Sequence, residues 1–338
     1  MILRHTLISV IFACWALAQN VNASTPSDAV AQYNQMHPDN KPLTDGYVNV
    51  GGVDYHYVAA GQGPLVILYH GFPSFWYAWK PQIAELSKHY RVVAVDGLGS
   101  NLSDKPADIN RYRIDKLASD LNQLAYKVGG EQPFHLIGHD WGGALAWAFA
   151  QNYPDRVAKL VVLNAPPHNV FQELLRTNEQ QQKTSRYIKV LNSSLGERIL
   201  GFNDSYLIWK MAYQKHLDHE RINTAEADLF RQALSRPQAL HSAINWYRAN
   251  TTDADSPLES ALWPRENPLI TVPSLLIWGE KDKAFVPEFL DMLPELVEHL
   301  TIKRLASAAH WPGLSHPQQV NQAINKFFSA PQGQDSPL

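Results

Sequence analysis

Short apolar runs recur along the chain, and segments with helical spacing lie between them. The runs are 64–69, 91–95, 134–137, 160–163 and 274–278, with an earlier pair at 47–50 and 55–59 on either side of Gly51 and Gly52. The helical segments include 114–128, 141–152 and 317–328. Nearly continuous apolar runs are typical of strands that are covered on both faces. The alternation predicts an α/β fold with a mostly parallel central sheet flanked by helices, preceded by a hairpin.

The interval from 168 to 262 breaks this alternation, because it holds several helical patterns and no comparable apolar run. Pro237 suits a first helical position, and its helix would extend through Ile244 and Tyr247. Ligands of α/β sheets bind at the carboxyl ends of the strands, so we expect a helical cap over that edge. The predicted organisation is a polar lead-in at 24–45, a core at 46–167 and 263–330, the inserted cap at 168–262, and a flexible tail at 331–338.

The first 23 residues differ from the rest of the chain. Arg4 precedes an uncharged segment at 7–18, and Val21-Asn22-Ala23 then offers small residues before Ser24. Twelve residues are too few to span a bilayer as a helix, and the pattern is typical of a secretory signal peptide. We therefore expect an exported protein, periplasmic or secreted, that is cleaved after Ala23. A buried N-terminal helix is the alternative interpretation.

Composition narrows the classes of function. The 338 residues are 45% hydrophobic, and 29 basic against 32 acidic residues give a net charge of −3. These values exclude disorder for most of the chain and argue against nucleic acid as a partner. Cys14 is the only cysteine, which excludes intramolecular disulfides and thiolate metal sites. No segment after the signal reaches transmembrane length without charges, so we expect no stable membrane insertion once the signal is removed.

The strongest chemical signal is the segment 134–143, in which an apolar strand leads through Gly138-His139-Asp140-Trp141-Gly142-Gly143 directly into a helix. Small residues on both sides of position 140 permit the tight strand-to-helix turn that exposes a nucleophile. An aspartate there is already anionic at neutral pH, and it can attack an electrophilic carbon to form an ester. The alternative is that Asp140 merely caps the helix.

Two later positions complete a possible catalytic triad. Asp282 lies in the turn after the run 274–278, and His310 follows 28 positions later. The order nucleophile, acid, histidine is that of the α/β-hydrolase triad. A neutral His310 would take a proton from water, and Asp282 would orient its ring. A structural histidine is the alternative, since 13 other histidines are present.

Further candidates surround these three residues. His70-Gly71-Phe72-Pro73 follows the run 64–69, and the backbone N–H groups of Phe72 and Trp141 would form an oxyanion hole. In the cap, Tyr247 and Tyr187 would offer phenols that protonate or hydrogen-bond a leaving oxygen. Ordinary packing is the alternative for a buried tyrosine.

From Gly46 to Phe328 the chain resembles the epoxide hydrolase family of α/β-hydrolases. The matching motifs are His70-Gly71-Phe72-Pro73, Ser103-Asp104-Lys105-Pro106, Gly138-His139-Asp140-Trp141-Gly142-Gly143 and Asn245-Trp246-Tyr247-Arg248. The resemblance implies Asp140 as nucleophile, Asp282 and His310 as the charge relay, and Tyr187 and Tyr247 as cap acids that hold the epoxide oxygen. It implies neither a metal nor an organic cofactor.

The chain departs from the family pattern at a few positions. Leu98 stands where the family usually has Arg, and Asn101 where it usually has Gly. A periplasmic branch often places its relay acid just after the fourth run, where this chain has Asn164. Asp282 is therefore the predicted relay acid.

Three functions remain open at this stage. The first is hydrolysis of a small apolar epoxide to a vicinal diol, through an aspartyl ester and a water activated by histidine. The second is dehalogenation of a halogenated substrate by the same triad, with the Trp141 indole as one halide donor. The third is a non-catalytic binding protein with the hydrolase fold. The sequence does not indicate an oligomeric state.

Overall fold

The computed structural model describes residues 27–251 and 269–331. Its eight strands are β1 Thr44–Val50, β2 Val53–Ala60, β3 Leu65–Tyr69, β4 Arg91–Val95, β5 Phe134–His139, β6 Val157–Leu163, β7 Ser274–Gly279 and β8 Leu300–Leu305. They form one sheet in the order β1-β2-β4-β3-β5-β6-β7-β8. The pairs β1–β2 and β2–β4 are antiparallel, and all the other pairs are parallel. The predicted α/β fold with a mostly parallel sheet is confirmed.

Helices flank this sheet and occupy most of the described residues between β6 and β7. They are α1 Asp28–Met36, α2 Lys80–Leu86, α3 Ile114–Gly129, α4 Trp141–Asn152, α5 His168–Thr177, α6 Glu179–Thr184, α7 Arg186–Asn192, α8 Ser194–Leu200, α9 Phe202–Asp218, α10 Thr224–Ser235, α11 Ala239–Asn250, α12 Phe289–Met292, α13 Pro312–Ser315 and α14 Pro317–Ser329. Short 3₁₀ helices occupy Trp76–Trp79, Ile109–Tyr112, Pro154–Arg156 and Leu293–Glu295.

The central strands are buried on both faces. Every residue of β7 is buried, as are four of the five residues of β3 and of β4. This burial explains why their sequences are almost wholly apolar instead of alternating. The parallel strands all direct their carboxyl ends to the same edge of the sheet, and the turns after β3, β5 and β7 meet there.

Seven helices, α5 to α11, occupy the described residues between β6 and β7, and no strand of the sheet lies among them. The helix expected to open at Pro237 begins at Ala239 and includes Ile244 and Tyr247. The segment is interrupted at 203–205, where three residues of α9 have positive φ. The predicted ends of the cap stay predictions, since 252–268 lies outside the described residues.

The N-terminal segment is more ordered than a polar lead-in implies. Helix α1 buries Val30 and Tyr33, and the Tyr33 ring meets Trp76 edge-on at 6.2 Å between centroids. Asp45 connects this segment to the core. It accepts one hydrogen bond from the Ser27 backbone N–H at 2.6 Å and another from His56 at 2.7 Å. Sequence analysis missed α1 because only these two apolar residues, three positions apart, mark its inner face.

The predicted signal peptide at 1–23 lies outside the described residues, as does most of the predicted tail. In the parts that the structure describes, no helix is both long and apolar enough to cross a membrane.

Candidate active site

The turn between β5 and α4 holds Asp140 in a strained backbone conformation. Its φ is 53° and its ψ is −124°, a combination that few non-glycine residues adopt outside functional turns. The turn is possible because the residues two positions before and after Asp140 are glycines: a Cβ at Gly138 would lie 2.3 Å from the carbonyl oxygen of Gly142, and one at Gly142 would lie 2.2 Å from that of Tyr69. The Asp140 side chain makes no capping hydrogen bond to α4. The structure therefore gives no support to a simple helix-cap role.

The Asp140 carboxylate is buried, and its two oxygens have different partners. Oδ1 accepts a hydrogen bond from the backbone N–H of Phe72 at 2.7 Å, and Oδ2 lies 3.4 Å from Nε2 of His310. Burial alone would raise the pKa of this carboxyl. The hydrogen bond and charge of His310 outweigh burial and lower the pKa, so Asp140 is anionic at neutral pH.

His310 connects Asp140 to Asp282. Its Nδ1 lies 2.9 Å from Oδ2 of Asp282, which the turn after β7 presents to the same edge of the sheet. Burial would lower the pKa of His310, but the two carboxylates more than compensate and raise it to about 10. The structure thus brings together the three predicted triad residues, with His310 cationic between two anions.

Asp282 is held by hydrogen bonds on both of its oxygens. Oδ1 accepts a hydrogen bond from the backbone N–H of Ala284 at 2.6 Å, and Oδ2 accepts one from Nδ2 of Asn164 at 2.6 Å. Asn164 in turn accepts the backbone N–H of Gly279 at 2.9 Å. The residue after β6 is therefore a partner of the relay acid in this chain and orients its carboxylate.

Sequence analysis missed a role for His139, the residue before the nucleophile. Its Nε2 donates to the backbone carbonyl of His310 at 2.7 Å, and its ring lies 5.0 Å from the His310 ring. Burial and the positive charge of His310 lower the pKa of His139 to about 4, so the ring stays neutral. The signal was its position in the motif, which places it directly beside the reacting group.

The two predicted cap tyrosines face the nucleophile from helices α7 and α11. The rings of Tyr187 and Tyr247 meet edge-on, with their centroids 6.1 Å apart. The Tyr247 ring also meets Phe72 and Trp141 edge-on at 5.4 and 5.1 Å. Burial raises the pKa of both phenols, and the nearby charge of Asp140 raises them further. Both tyrosines therefore stay protonated and can donate.

The carboxylate and the phenols line one cavity. Its other walls are mostly apolar, and they include Phe171 and Phe285. A second cavity shares Trp141 as a wall and continues along the turn that contains Phe72. An apolar site with a few convergent polar groups is typical of small-molecule binding. The predicted backbone donor of Phe72 faces Asp140, whereas that of Trp141, at the start of α4, stays a prediction.

Gly71 provides a direct test of how closely this site is packed. A Cβ at Gly71 would lie 2.2 Å from Oδ1 and 2.4 Å from Cβ of Asp140, so the Gly71→Ala change must displace the carboxylate. Because small displacements of reacting groups are costly, we expect kcat/KM to fall about 100-fold. Gly201→Ala is the control, since its Cβ would meet no atom closer than 3.1 Å. Steady-state kinetics measures kcat/KM, and circular dichroism checks that both variants fold. A folded Gly71→Ala enzyme with wild-type kinetics contradicts the expectation.

Within residues 27–251 and 269–331, no group of three or more His, Cys, Asp or Glu side chains is arranged to hold a metal ion.

An eight-stranded sheet with an acidic residue at the strand–helix turn, and a histidine and second acid on neighbouring turns, defines an α/β hydrolase. The family model described as alpha/beta hydrolase fold matches residues 64–190. Epoxide hydrolase 4 of Homo sapiens is 35% identical over 298 residues, which cover 84% of this chain and 79% of that protein. The chain belongs to the epoxide hydrolase family of α/β hydrolases.

Two bacterial proteins are similar over almost their whole length. The AB hydrolase superfamily protein YfhM of Bacillus subtilis is 34% identical, over 83% of this chain and 96% of that protein. A solved structure shows a variant of an epoxide hydrolase from Bacillus megaterium complexed with its product (R)-3-[1]naphthyloxy-propane-1,2-diol. The solved chain is 32% identical to this one, with a TM-score of 0.78, and the match covers 84% of this chain and 100% of the solved chain.

Proposed function

We propose that this protein hydrolyses small apolar epoxides to vicinal diols through a covalent ester on Asp140. One observation carries the proposal: a buried carboxylate and two phenols line a single, mostly apolar cavity. Epoxide opening needs these two groups, a nucleophile for carbon and an acid for oxygen. The product held by the Bacillus megaterium relative is a vicinal diol, which supports the same reaction here.

In the first step, Oδ2 of Asp140 attacks an epoxide carbon while the ring C–O bond breaks. Oδ1 accepts the Phe72 N–H, so Oδ2 is the oxygen available for attack. The epoxide oxygen takes a proton from Tyr187 or Tyr247 as charge develops on it. The product of this step is a hydroxyalkyl ester of Asp140.

In the second step, water attacks the carboxyl carbon of this ester. Before this, His310 gives its own proton to the tyrosinate left by the first step. The neutral His310 then takes a proton from water, and the carbonyl oxygen derived from Oδ1 gains negative charge beside the Phe72 N–H. Asp282 stabilises the imidazolium that forms. Collapse of the tetrahedral intermediate breaks the bond between the carboxyl carbon and Oδ2, and the leaving alkoxide takes a proton from the imidazolium and departs as the diol. The carboxyl group of Asp140 then passes its proton to His310, which restores the free protein.

The ester changes the protonation of His310, and this gives a pH prediction. In the free protein the pKa of His310 is raised to about 10 by two carboxylates, one of which becomes neutral when Asp140 is alkylated. In the ester, only Asp282 still raises the pKa of His310, while burial continues to lower it. We therefore expect this pKa to fall, so that His310 can act as a base. Single-turnover hydrolysis of the ester should accelerate with rising pH and level off with an apparent pKa below that of the free protein.

Asp282→Asn removes the second carboxylate, so it should lower this apparent pKa further and slow ester hydrolysis more than ester formation. Stopped-flow fluorescence over a pH series measures both steps. If the apparent pKa for ester hydrolysis equals the pKa of His310 in the free protein, this role for Asp140 and His310 is contradicted.

Dehalogenation uses a similar triad, but the surroundings of Trp141 do not favour it. A halide site needs more than one side-chain N–H donor facing the leaving group, and the residue after His70 and Gly71 is Phe72, whose side chain has no donor to add to the Trp141 indole. Incubation of the pure protein with an epoxide panel and a haloalkane panel separates the two functions. We expect diol from epoxides and no free halide. Halide release without diol formation would overturn the proposal.

We also propose that the protein is exported and cleaved after Ala23, giving a periplasmic or secreted enzyme. The support is the sequence pattern alone: Arg4, the uncharged segment 7–18, and the small residues before Ser24. Intact-mass analysis of fractionated cells tests it. The expected species begins at Ser24, and an active species confined to the cytosol with its first residues intact argues against export.

A further inference from the structure

Exposed apolar side chains are concentrated on one part of the cap. Eight of the twelve exposed large hydrophobic residues in the described ranges lie between 187 and 211. Six of them, named here the cap patch, are Val190, Leu195, Ile199, Phe202, Leu207 and Met211. Phe202 is 78% exposed and Met211 is 70% exposed. Single exposed apolar residues are ordinary, whereas a concentrated group marks an interaction surface.

The cap patch spans three consecutive helices, α7, α8 and α9, and α8 contacts both of its neighbours. On α8, Leu195 and Ile199 are four residues apart and therefore share a face. On α9, Leu207 and Met211 have the same spacing. Two adjacent helices thus each offer an apolar pair to solvent.

Basic side chains accompany the patch, although the whole chain has a net charge of −3. Exposed positive charges at Arg186, Lys189, Arg198 and Lys210 are interleaved with its apolar residues. Of the two acids in the same stretch, Glu197 pairs with Arg248, which leaves the exposed Asp204. An apolar surface interleaved with Lys and Arg is complementary to a lipid surface with anionic headgroups.

A second copy of the chain fits this surface less well. A two-fold dimer brings the same patch of each copy together, so the basic residues of one copy would face those of the other. Like charges in such an interface are unfavourable. The charge pattern therefore favours an anionic partner over self-association.

We propose that the cap patch docks this protein peripherally on anionic lipid surfaces. Tyr187 lies on α7 three residues before Val190, and it is 36% exposed although it also lines the cavity, where its ring meets Tyr247 edge-on. The cavity therefore approaches the surface beside the patch. Docking places this opening at the membrane, where apolar molecules partition. The binding itself does not depend on the reaction proposed above.

Vesicle co-sedimentation tests the proposal with the purified full chain. The probes are vesicles of phosphatidylcholine alone and of phosphatidylcholine mixed with phosphatidylglycerol. We expect binding to the anionic vesicles only, reduced by high salt because salt screens charges within about 10 Å. The combined change Leu195→Ser, Phe202→Ser and Met211→Ser should weaken binding about tenfold or more. Lys189→Glu with Lys210→Glu should do the same.

Matched controls replace exposed residues outside the cap patch. Ile109→Ser with Tyr126→Ser removes exposed apolar side chains, and Lys41→Glu with Lys116→Glu reverses exposed charges. Both control proteins should bind like wild type, and every protein has the same N-terminal residues. Equal loss in patch and control variants, or no binding to anionic vesicles, overturns the proposal. So does sedimentation velocity showing a wild-type dimer that the triple change dissociates, because the patch would then hold a second copy.

Discussion

A protein with the His310→Gln change is expected to become alkylated at Asp140 and to stay alkylated. Ester formation needs the Asp140 carboxylate and the two phenols, all of which remain. Hydrolysis of the ester needs a base for water, and glutamine cannot accept that proton. We expect turnover to fall about 1,000-fold or more, because the variant stops after one substrate per site. Intact-mass spectrometry should show protein plus one substrate, and peptide mapping should locate the adduct on the peptide that contains Asp140.

Two variants serve as controls for this trapping experiment. His299→Gln changes a half-exposed histidine outside the cavity and should turn over normally. Asp140→Ala should give neither adduct nor product. An adduct on another residue, or steady turnover by Asp140→Ala, contradicts the assignment of the nucleophile.

The double change Tyr187→Phe with Tyr247→Phe is expected nearly to abolish ester formation from epoxides. Opening the ring creates an alkoxide, which is a far stronger base than phenolate, so a phenol donates to it readily. General acid assistance typically contributes about 10²–10⁴-fold, and each tyrosine can replace the other in part. We therefore expect Tyr247→Phe alone to slow the step about tenfold, and the double change to slow it about 100-fold or more.

Each of these changes removes one hydroxyl and leaves the ring packing in place. Tyr206→Phe on α9 is the matched control, since its ring packs against Trp209 away from the cavity. Single-turnover alkylation rates, with circular dichroism as a check of folding, measure the effect. Wild-type alkylation by the double variant would remove the cap tyrosines from the mechanism and strengthen the dehalogenase alternative, because halide departure needs no proton.

The parts of the fold that could be predicted are those in which one local pattern dominates. The strand Arg91–Val95 and the helix Trp141–Asn152 have the predicted bounds, because an apolar run and the glycine-bounded turn mark their ends. The strands β1, β2, β5, β6 and β7 are one to three residues longer than predicted, where polar residues such as Lys159 and His139 continue the ladder, and β3 begins one residue later than predicted. Burial of those residues depends on neighbours that the local sequence does not show.

The site was predictable from the order of its residues along the chain, but not in its geometry. Asp140 and Asp282 were found because each follows a recognisable strand, and His310 because of its order after them in the chain. That the rings of Tyr187 and Tyr247 meet edge-on depends on the packing of α7 against α11, which no spacing in the sequence reveals. The hydrogen bond from Asn164 to Asp282 likewise joins turns that are 118 residues apart.

The most direct test of the central claim is a single turnover in H₂¹⁸O, with protein in excess over an epoxide. If Asp140 is the nucleophile, the oxygen added in the first turnover comes from its carboxylate. The diol should then contain no ¹⁸O, and the label should appear in the peptide that contains Asp140. A diol labelled in its first turnover, with Asp140 unlabelled, would show that water attacks the epoxide directly and would contradict the covalent mechanism.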